Sequence, residues 1–114
     1  MQYVLLLTQF LGFRMRVVLL GTAAGGGFRR HDTATCEVKR MWTHPGYRRK
    51  GLAVRVLDEL ESAASEVGYT RLILETGPRQ PEAESLYAAR GYERIEYYGH
   101  YPEARAFSCD LLDK

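Results

Sequence analysis

Residues 44–53 have the sequence HPGYRRKGLA and join a predicted strand, residues 35–43, to a predicted helix over about residues 51–67. The first backbone N–H groups of a helix have no partner within it, and the helix dipole makes this end positive. Gly51 and Ala53 have little or no side chain, so the backbone can approach an anion closely. These features favour a pyrophosphate group bound at the start of the helix.

Three cations, Arg48, Arg49 and Lys50, precede this helix. Positive charge has the wrong sign for a helix N-terminus unless an anion lies between the charges and the helix. A solvated charge run is the alternative, and the local sequence leaves both open. Two other phosphate-binding loops do not fit, because Leu52 and Ala53 stand where a P-loop has Lys-Ser/Thr, and the pattern GxGxxG is absent.

The strand and the helix that flank this loop are predicted from the periodicity of their side chains. Residues 35–43 alternate, which predicts one face with Cys36, Val38, Arg40 and Trp42 and another with Glu37, Lys39, Met41 and Thr43. Residues 51–67 carry apolar side chains at three- and four-residue spacing, which is typical of an amphipathic helix, and Gly68 suits its C-terminal cap.

The remaining elements are predicted in chain order, with residues 4–7 left open as strand or helix. We expect strands at residues 15–20, 23–30, 71–76, 92–98 and 106–112, and a helix at residues 81–90. Gly25, Gly26 and Gly27 predict a bulge or a close approach of another backbone, and residues 31–33 predict a hairpin turn.

The order of elements predicts one α/β domain over residues 1–114, with a mixed, mostly antiparallel central sheet. Its strand–helix–strand unit, residues 35–76, predicts one parallel strand pair with a right-handed crossover. An aromatic segment, residues 98–102, joins the last two strands, and it is interpreted either as a lip over a substrate or as core packing.

The composition limits the class of protein and the kinds of partner that can be expected. With 114 residues, 46% apolar and 26% charged, the chain is an ordinary globular domain. A net charge of +2 is too small to indicate a nucleic-acid partner. Cys36 and Cys109 are far apart without a CxxC pattern, which predicts buried reduced thiols and no metal site.

The apolar N-terminal residues do not predict a targeting or membrane segment. Arg14 and Arg16 interrupt them, and no basic residue precedes the first apolar run. A signal peptide has its charge first, and a membrane span needs about 20 apolar residues. We therefore expect a cytoplasmic protein without a membrane partner.

The pattern Arg48-x-x-Gly51-x-Ala53 resembles the Q/R-x-x-G-x-G/A motif of the GNAT superfamily of N-acetyltransferases. Residues 37–43 (EVKRMWT), 74–77 (LETG) and 83–92 (AESLYAARGY) resemble the strands and helix around that motif. The resemblance covers residue 17 to the C-terminus. Two features depart from it: members usually begin with a strand and two helices, for which residues 1–14 are too few, and Gln80 stands where many have Asn.

The resemblance implies transfer of an acetyl group from acetyl-CoA to a primary amine of a small molecule or peptide, by direct attack and without a metal. It implies cofactor contacts from Met41, Thr43, Arg48, Arg49, Lys50, Gly51, Leu52 and Ala53. Backbone N–H groups near Met41 and Thr43 are expected to receive the carbonyl oxygen. A non-catalytic acyl-CoA-binding or regulatory domain is the alternative.

The same resemblance implies Tyr87 as general acid and Glu37 as a base acting through water. The alternatives are a core tyrosine and a solvent-facing carboxylate. Because the usual N-terminal helices are missing, we expect an apolar sheet surface and hence a homodimer. The alternative is that residues 3–11 fold back over the sheet as a helix or strand.

Overall fold

The computed structural model describes residues 4–10, 13–48, 51–78, 80–99 and 103–114. The strands are β1 (Val4–Phe10), β2 (Phe13–Leu20), β3 (Ala24–Arg30), β4 (Thr35–Thr43), β5 (Arg71–Thr76), β6 (Glu93–Ile95) and β7 (Arg105–Asp110). The helices are α1 (Leu52–Val67) and α2 (Pro81–Ala89), with short 3-10 turns at Pro45–Tyr47 and Leu111–Asp113.

The strands form one sheet in the order β1-β2-β3-β4-β5-β7-β6. Every neighbouring pair is antiparallel except β4 with β5. The predicted α/β class with a mostly antiparallel sheet and one parallel pair is therefore confirmed. The predicted strand over residues 92–98 is wrong beyond Ile95, where the chain leaves the sheet.

The core lies between one face of this sheet and both helices. Registers such as Phe28↔Val38, Cys36↔Leu72 and Leu74↔Phe107 place these side chains on the same face. The apolar stripe of α1, led by Val56, Leu57 and Leu60, is buried against them. Gly68, at φ 112°, ends α1 in the left-handed conformation expected of a glycine cap.

A β-bulge interrupts β4 opposite the glycine cluster. Gly25 pairs with Trp42 and Gly27 with Lys39, so Gly26 faces two residues of β4, positions 40 and 41. The extra residue reverses the alternation. The prediction that Met41 shares a face with Glu37 is therefore wrong, and so is the placing of Trp42 with Cys36.

The three glycines predict a bulge or a close approach of another backbone, and at Gly26 the close approach comes from side chains. A Cβ on Gly26 would lie 2.9 Å from Sδ of Met41 and 3.1 and 3.2 Å from side-chain carbons of Val56 and Leu60. Met41 is thus on the helix side of the sheet and packs against the core. The missing side chain at Gly26 lets α1 and Met41 approach the sheet together.

The N-terminal segment forms an edge strand. Residues 4–10 pair with β2 along their whole length, from Val4↔Leu19 to Phe10↔Phe13. Of the two conformations left open for this segment, the structure has the strand, and residues 4–10 extend the sheet at its edge. In β2, Val18 and Leu20 are buried under α1. Tyr3 and Leu11 lie outside the described residues. Neither described helix has the length and apolar character needed to cross a bilayer.

Candidate functional site

The two parallel strands separate partway along their length. They pair at Thr35↔Arg71, Cys36↔Leu72 and Glu37↔Ile73, and the described ladder ends there. Beyond that point β4 stays with β3, and β5 stays with β7 as far as Thr76↔Arg105. The backbone N–H and C=O groups that β4 turns toward β5 after Glu37 are thus left for a ligand, since such groups need partners.

The start of α1 points toward the same opening. Gly51 is its N-cap, with φ 72°, a left-handed conformation that glycine adopts without strain. No side chain among the described residues caps this end, and its first turn has no acidic residue. The first backbone N–H groups of α1 are therefore available to an anion.

The loop before α1 is held by local contacts. Nδ1 of His44 accepts a hydrogen bond from N–H of Gly46 at 3.1 Å, and its ring meets Tyr47 edge-on at 5.8 Å between centroids. The backbone N–H of His44 also donates to the carbonyl of Ala23 at 2.7 Å. The turn that leads to Arg48 is thus ordered by contacts within it and by an attachment to Ala23. Arg49 and Lys50, also predicted to bind the cofactor, lie outside the described residues.

A groove of about 960 Å³ runs from the end of β4 past the start of α1 to α2. This volume is at the upper end of the range of about 300–1,000 Å³ common for small-molecule sites. Among predicted site residues it brings together Met41, Thr43, Arg48, Gly51, Leu52, Ala53 and Tyr87. It is also lined by residues for which no contact was predicted: Trp42, Tyr47, Val54, Gln80, Pro81, Glu82, Ala83 and Leu86.

Tyr87 lies both in the core and at the groove. Its ring packs against Tyr92 at 5.7 Å and Phe107 at 5.5 Å between centroids, and only 7% of the residue is exposed. Burial raises the pKa of the Tyr87 hydroxyl. The hydroxyl therefore stays protonated at neutral pH, as a hydrogen-bond donor must.

Glu37 is not part of the groove lining. It lies on the sheet face opposite the helices, at the last position paired with β5, and is 4% exposed. Arg29 donates to its Oε1 from Nε at 3.3 Å and Nη2 at 3.2 Å, and Nζ of Lys39 lies 3.1 Å from its Oε2. The expected solvent-facing alternative is thus wrong, because this carboxylate is buried and ion-paired.

The bulge explains why sequence reasoning missed Trp42. Strict alternation gives no reason to place consecutive residues Met41, Trp42 and Thr43 on one groove, whereas the groove lies at the end of β4, where residues of both faces line it. The three consecutive glycines opposite were the signal, but they did not show which strand carries the extra residue.

Comparison with known proteins agrees with this geometry. Residues 10–92 match the model of the acetyltransferase (GNAT) family. The chain is 36% identical over 83 residues to the uncharacterized N-acetyltransferase YsnE of Bacillus subtilis, covering 71% of this chain and 55% of that protein. The chain thus spans about half the length of this curated relative.

Solved structures show the same fold. A Klebsiella pneumoniae protein assigned to the acyl-CoA N-acyltransferases has a TM-score of 0.78 at 24% identity, over 85% of this chain and 72% of that one. A GNAT family acetyltransferase from Elizabethkingia anophelis, with acetyl-CoA bound, has a TM-score of 0.71 at 12% identity, over 86% and 76%. With the family model covering most of its length, the chain belongs to the GNAT family of acetyltransferases.

Proposed function

We propose that the protein transfers an acetyl group from acetyl-CoA to a primary amine by direct attack. The observation that carries the proposal is the groove that joins the uncapped start of α1 to the end of β4, beyond the point where β4 and β5 separate. An anion-binding helix end and a stretch of unpaired strand backbone are the two features that a pyrophosphate with an amide-rich arm requires.

The cofactor side is assigned to the residues that line this groove. Arg48, with Arg49 and Lys50, and the N–H groups at Gly51, Leu52 and Ala53 would hold the pyrophosphate. Backbone N–H groups near Met41 and Thr43 would receive the carbonyl oxygen of the thioester as negative charge develops on it. Leu52 and Ala53 leave the helix end unobstructed because the Leu52 side chain is buried in the core and that of Ala53 is small.

Tyr87 is proposed to donate a proton to the departing thiolate. A tyrosine of pKa about 10 is a weaker acid than a thiol of pKa about 8.5, so complete transfer is uphill by roughly 2 kcal/mol. Burial raises the pKa of Tyr87 and makes the transfer harder. Tyr87 therefore assists a leaving group that can also depart unprotonated.

Glu37 is proposed to accept the proton of the attacking amine through water. An amine of pKa about 10.4 must give up its proton at pH 7 at a cost of about 4.6 kcal/mol. Arg29 and Lys39 hold the Glu37 carboxylate in place through two ion pairs. Its proposed contribution is mainly to orient the water that takes the proton.

A CoA-release screen on the purified protein tests the activity. Acetyl-CoA is offered with an amino acid, a polyamine and a peptide with a free N-terminus, and released CoA is measured with a thiol reagent. We expect release that depends on one of these amines. Saturable acetyl-CoA binding with no release across the panel would instead support the non-catalytic acyl-CoA-binding domain.

We further propose that the protein is a cytoplasmic homodimer. The outer strand β1 has the sequence VLLLTQF, without a charge or a proline. Exposed edge strands are usually protected by such residues, so an unprotected edge favours pairing with a second copy. Light scattering after size exclusion should give twice the chain mass of 13.0 kDa. A mass of one chain at all micromolar concentrations would contradict the dimer.

A further inference from the structure

Glu75 holds a segment of backbone on the face of the sheet opposite the helices. It lies on β5 two residues beyond Ile73, the last residue paired with β4, and its own partner on β7 is Ala106. Oε1 of Glu75 accepts hydrogen bonds from N–H of Gly99 at 2.9 Å and N–H of Tyr98 at 3.3 Å. A carboxylate that accepts two backbone N–H groups makes a strong, directional attachment.

Gly99 allows this close contact because it has no side chain. A Cβ at position 99 would lie 2.9 Å from Oε1 and 3.0 Å from Oε2 of Glu75. Real Cβ atoms do not approach oxygen so closely, so with a side chain at position 99 either the Glu75 carboxylate or the backbone would have to move and the contact would change. The glycine therefore belongs to the attachment and is not merely a turn residue.

The attachment fixes the Tyr98 side chain beside Glu37. The Tyr98 ring meets His31, in the turn before β4, edge-on at 5.7 Å between centroids. Its hydroxyl is buried next to Glu37, and among the described residues no contact to it has full hydrogen-bond geometry. Burial, and then the charges of Glu37 and Glu75, raise the pKa of Tyr98. The Tyr98 side chain thus reaches from β5 toward the start of β4 and passes close to Glu37.

This face is where an acceptor must enter. The groove on the helix side is assigned to the cofactor, and the gap between β4 and β5 opens to both faces beyond Glu37. An amine that reaches a thioester in that gap therefore arrives over the face that carries Glu37, Glu75 and Tyr98. The position of Tyr98 sets how much of that face stays open.

We propose that Glu75 is a positioning residue for the acceptor amine: by holding Tyr98 and Gly99 it places the Tyr98 side chain as one wall of the acceptor entrance. This inference rests on the proposed acetyltransferase function. It assigns Glu75 no contact with the reacting atoms.

Three variants and one control test whether Glu75 acts by accepting these two hydrogen bonds or through its charge. Glu75→Ala removes the acceptor of both N–H groups, whereas Glu75→Gln keeps a carbonyl oxygen that can accept them but removes the charge. Gly99→Ala disrupts the same contact from the other side. Glu66→Ala removes an exposed glutamate near the end of α1, away from both faces of the site, and serves as the control.

The first measurement is hydrogen exchange of the Tyr98 and Gly99 amides by NMR, which does not depend on activity. We expect at least tenfold faster exchange in Glu75→Ala and Gly99→Ala, and near wild-type exchange in Glu75→Gln and in the control. Unchanged exchange in Glu75→Ala would show that the carboxylate does not hold the segment, and would overturn the proposal even if no amine is turned over.

The second measurement is steady-state kinetics with whichever of the three panel amines releases CoA fastest. We expect KM for the amine to rise at least fivefold in Glu75→Ala and Gly99→Ala, with kcat and KM for acetyl-CoA within twofold of wild type. Glu75→Gln should restore KM. An amine KM that is unchanged in Glu75→Ala, or equally raised in Glu75→Gln, would overturn the positioning role.

Discussion

The hydroxyl of Tyr92 donates a hydrogen bond to Oε2 of Glu61, with 2.6 Å between the two oxygens. Both residues are buried, and Oε1 of the same carboxylate lies 3.2 Å from Nη2 of Arg90 and 3.7 Å from Nζ of Lys114. Arg90 also pairs with Asp58. This cluster joins α1, the end of α2 and the C-terminal residues through polar contacts on an otherwise apolar helix side.

Tyr92→Phe should lower the free energy of unfolding by about 1–3 kcal/mol, because it leaves a buried carboxylate oxygen without its donor. The ring and its packing against Tyr87 are kept. Urea unfolding followed by circular dichroism measures the change. Tyr97→Phe, at a residue that is 51% exposed, is the control and should change stability by less than about 0.5 kcal/mol. Equal stability of Tyr92→Phe and wild type would show that the hydrogen bond contributes nothing.

Stability should fall as pH rises above about 9. Burial raises the pKa of Cys36 from 9.0 to about 12, and it also raises the pKa of Tyr92, where the neighbouring Glu61 adds to the effect. Above pH 9 the unfolded chain releases protons that the folded chain keeps, so the unfolded state is favoured increasingly with pH. The contribution is complete below pH 9 and is lost between about pH 9 and pH 12.

Urea midpoints at pH 7.5, 9 and 10.5 check this pH dependence. The midpoint should fall between the last two values, and it should fall less steeply in Tyr92→Phe, which lacks one of the titrating groups. A midpoint that is constant to pH 10.5 would contradict the burial of these groups.

Gly26→Ala should destabilise the fold by about 1–3 kcal/mol, the usual cost of adding a methyl group to a packed core. The new Cβ meets Met41, Val56 and Leu60 at 2.9–3.2 Å. Because Met41 also lines the groove, its displacement should weaken acetyl-CoA binding as well. Gly77→Ala is the matched control, since among the described residues a Cβ there meets Gln80 alone, at an ordinary 3.6 Å. Wild-type stability in Gly26→Ala would contradict the tight contact between α1 and the bulge.

Residues 35–76 show which structural features could be predicted from the sequence. The apolar spacing of α1 and the glycines at its two ends predicted the helix to within one residue, because both signals are local. The parallel pairing of β4 and β5 followed from the crossover rule. Where β4 carries its bulge and where the two strands separate depend on packing across the sheet. Strict alternation therefore placed Met41 and Trp42 on the wrong faces.

Part of the candidate site could likewise be predicted from local sequence, and part could not. The groove residues near Gly51 were predicted from a continuous stretch of sequence, and all the predicted residues that are described there line the groove. The attachment of Glu75 to Tyr98 and Gly99 joins residues 23 and 24 positions apart. No local pattern marks such a contact. The sequence LETG, residues 74–77, contains Glu75 and resembles the family, but it does not indicate the residues that Glu75 contacts.

Tyr87→Phe should lower kcat by roughly 10- to 100-fold. This is a small effect for the loss of a general acid, which typically contributes about 100- to 10,000-fold, because a thiolate can leave without being protonated. Affinity for acetyl-CoA should change by less than twofold, since the ring keeps its packing against Phe107. The exposed Tyr97→Phe is the control. An unaltered kcat on a good amine substrate would show that Tyr87 is a packing residue only.

The central claim is that the start of α1 binds the pyrophosphate of acetyl-CoA, and isothermal titration of acetyl-CoA into the Gly51→Glu variant tests it most directly. Gly51 and Gly68 both have positive φ, and a Cβ on either meets no atom of the described residues within 4 Å. Gly68→Glu at the other end of α1 therefore imposes at least as much backbone strain, away from the groove. We predict wild-type binding in Gly68→Glu and no measurable binding in Gly51→Glu, with both variants folded by circular dichroism. Wild-type affinity in a folded Gly51→Glu variant would contradict the account.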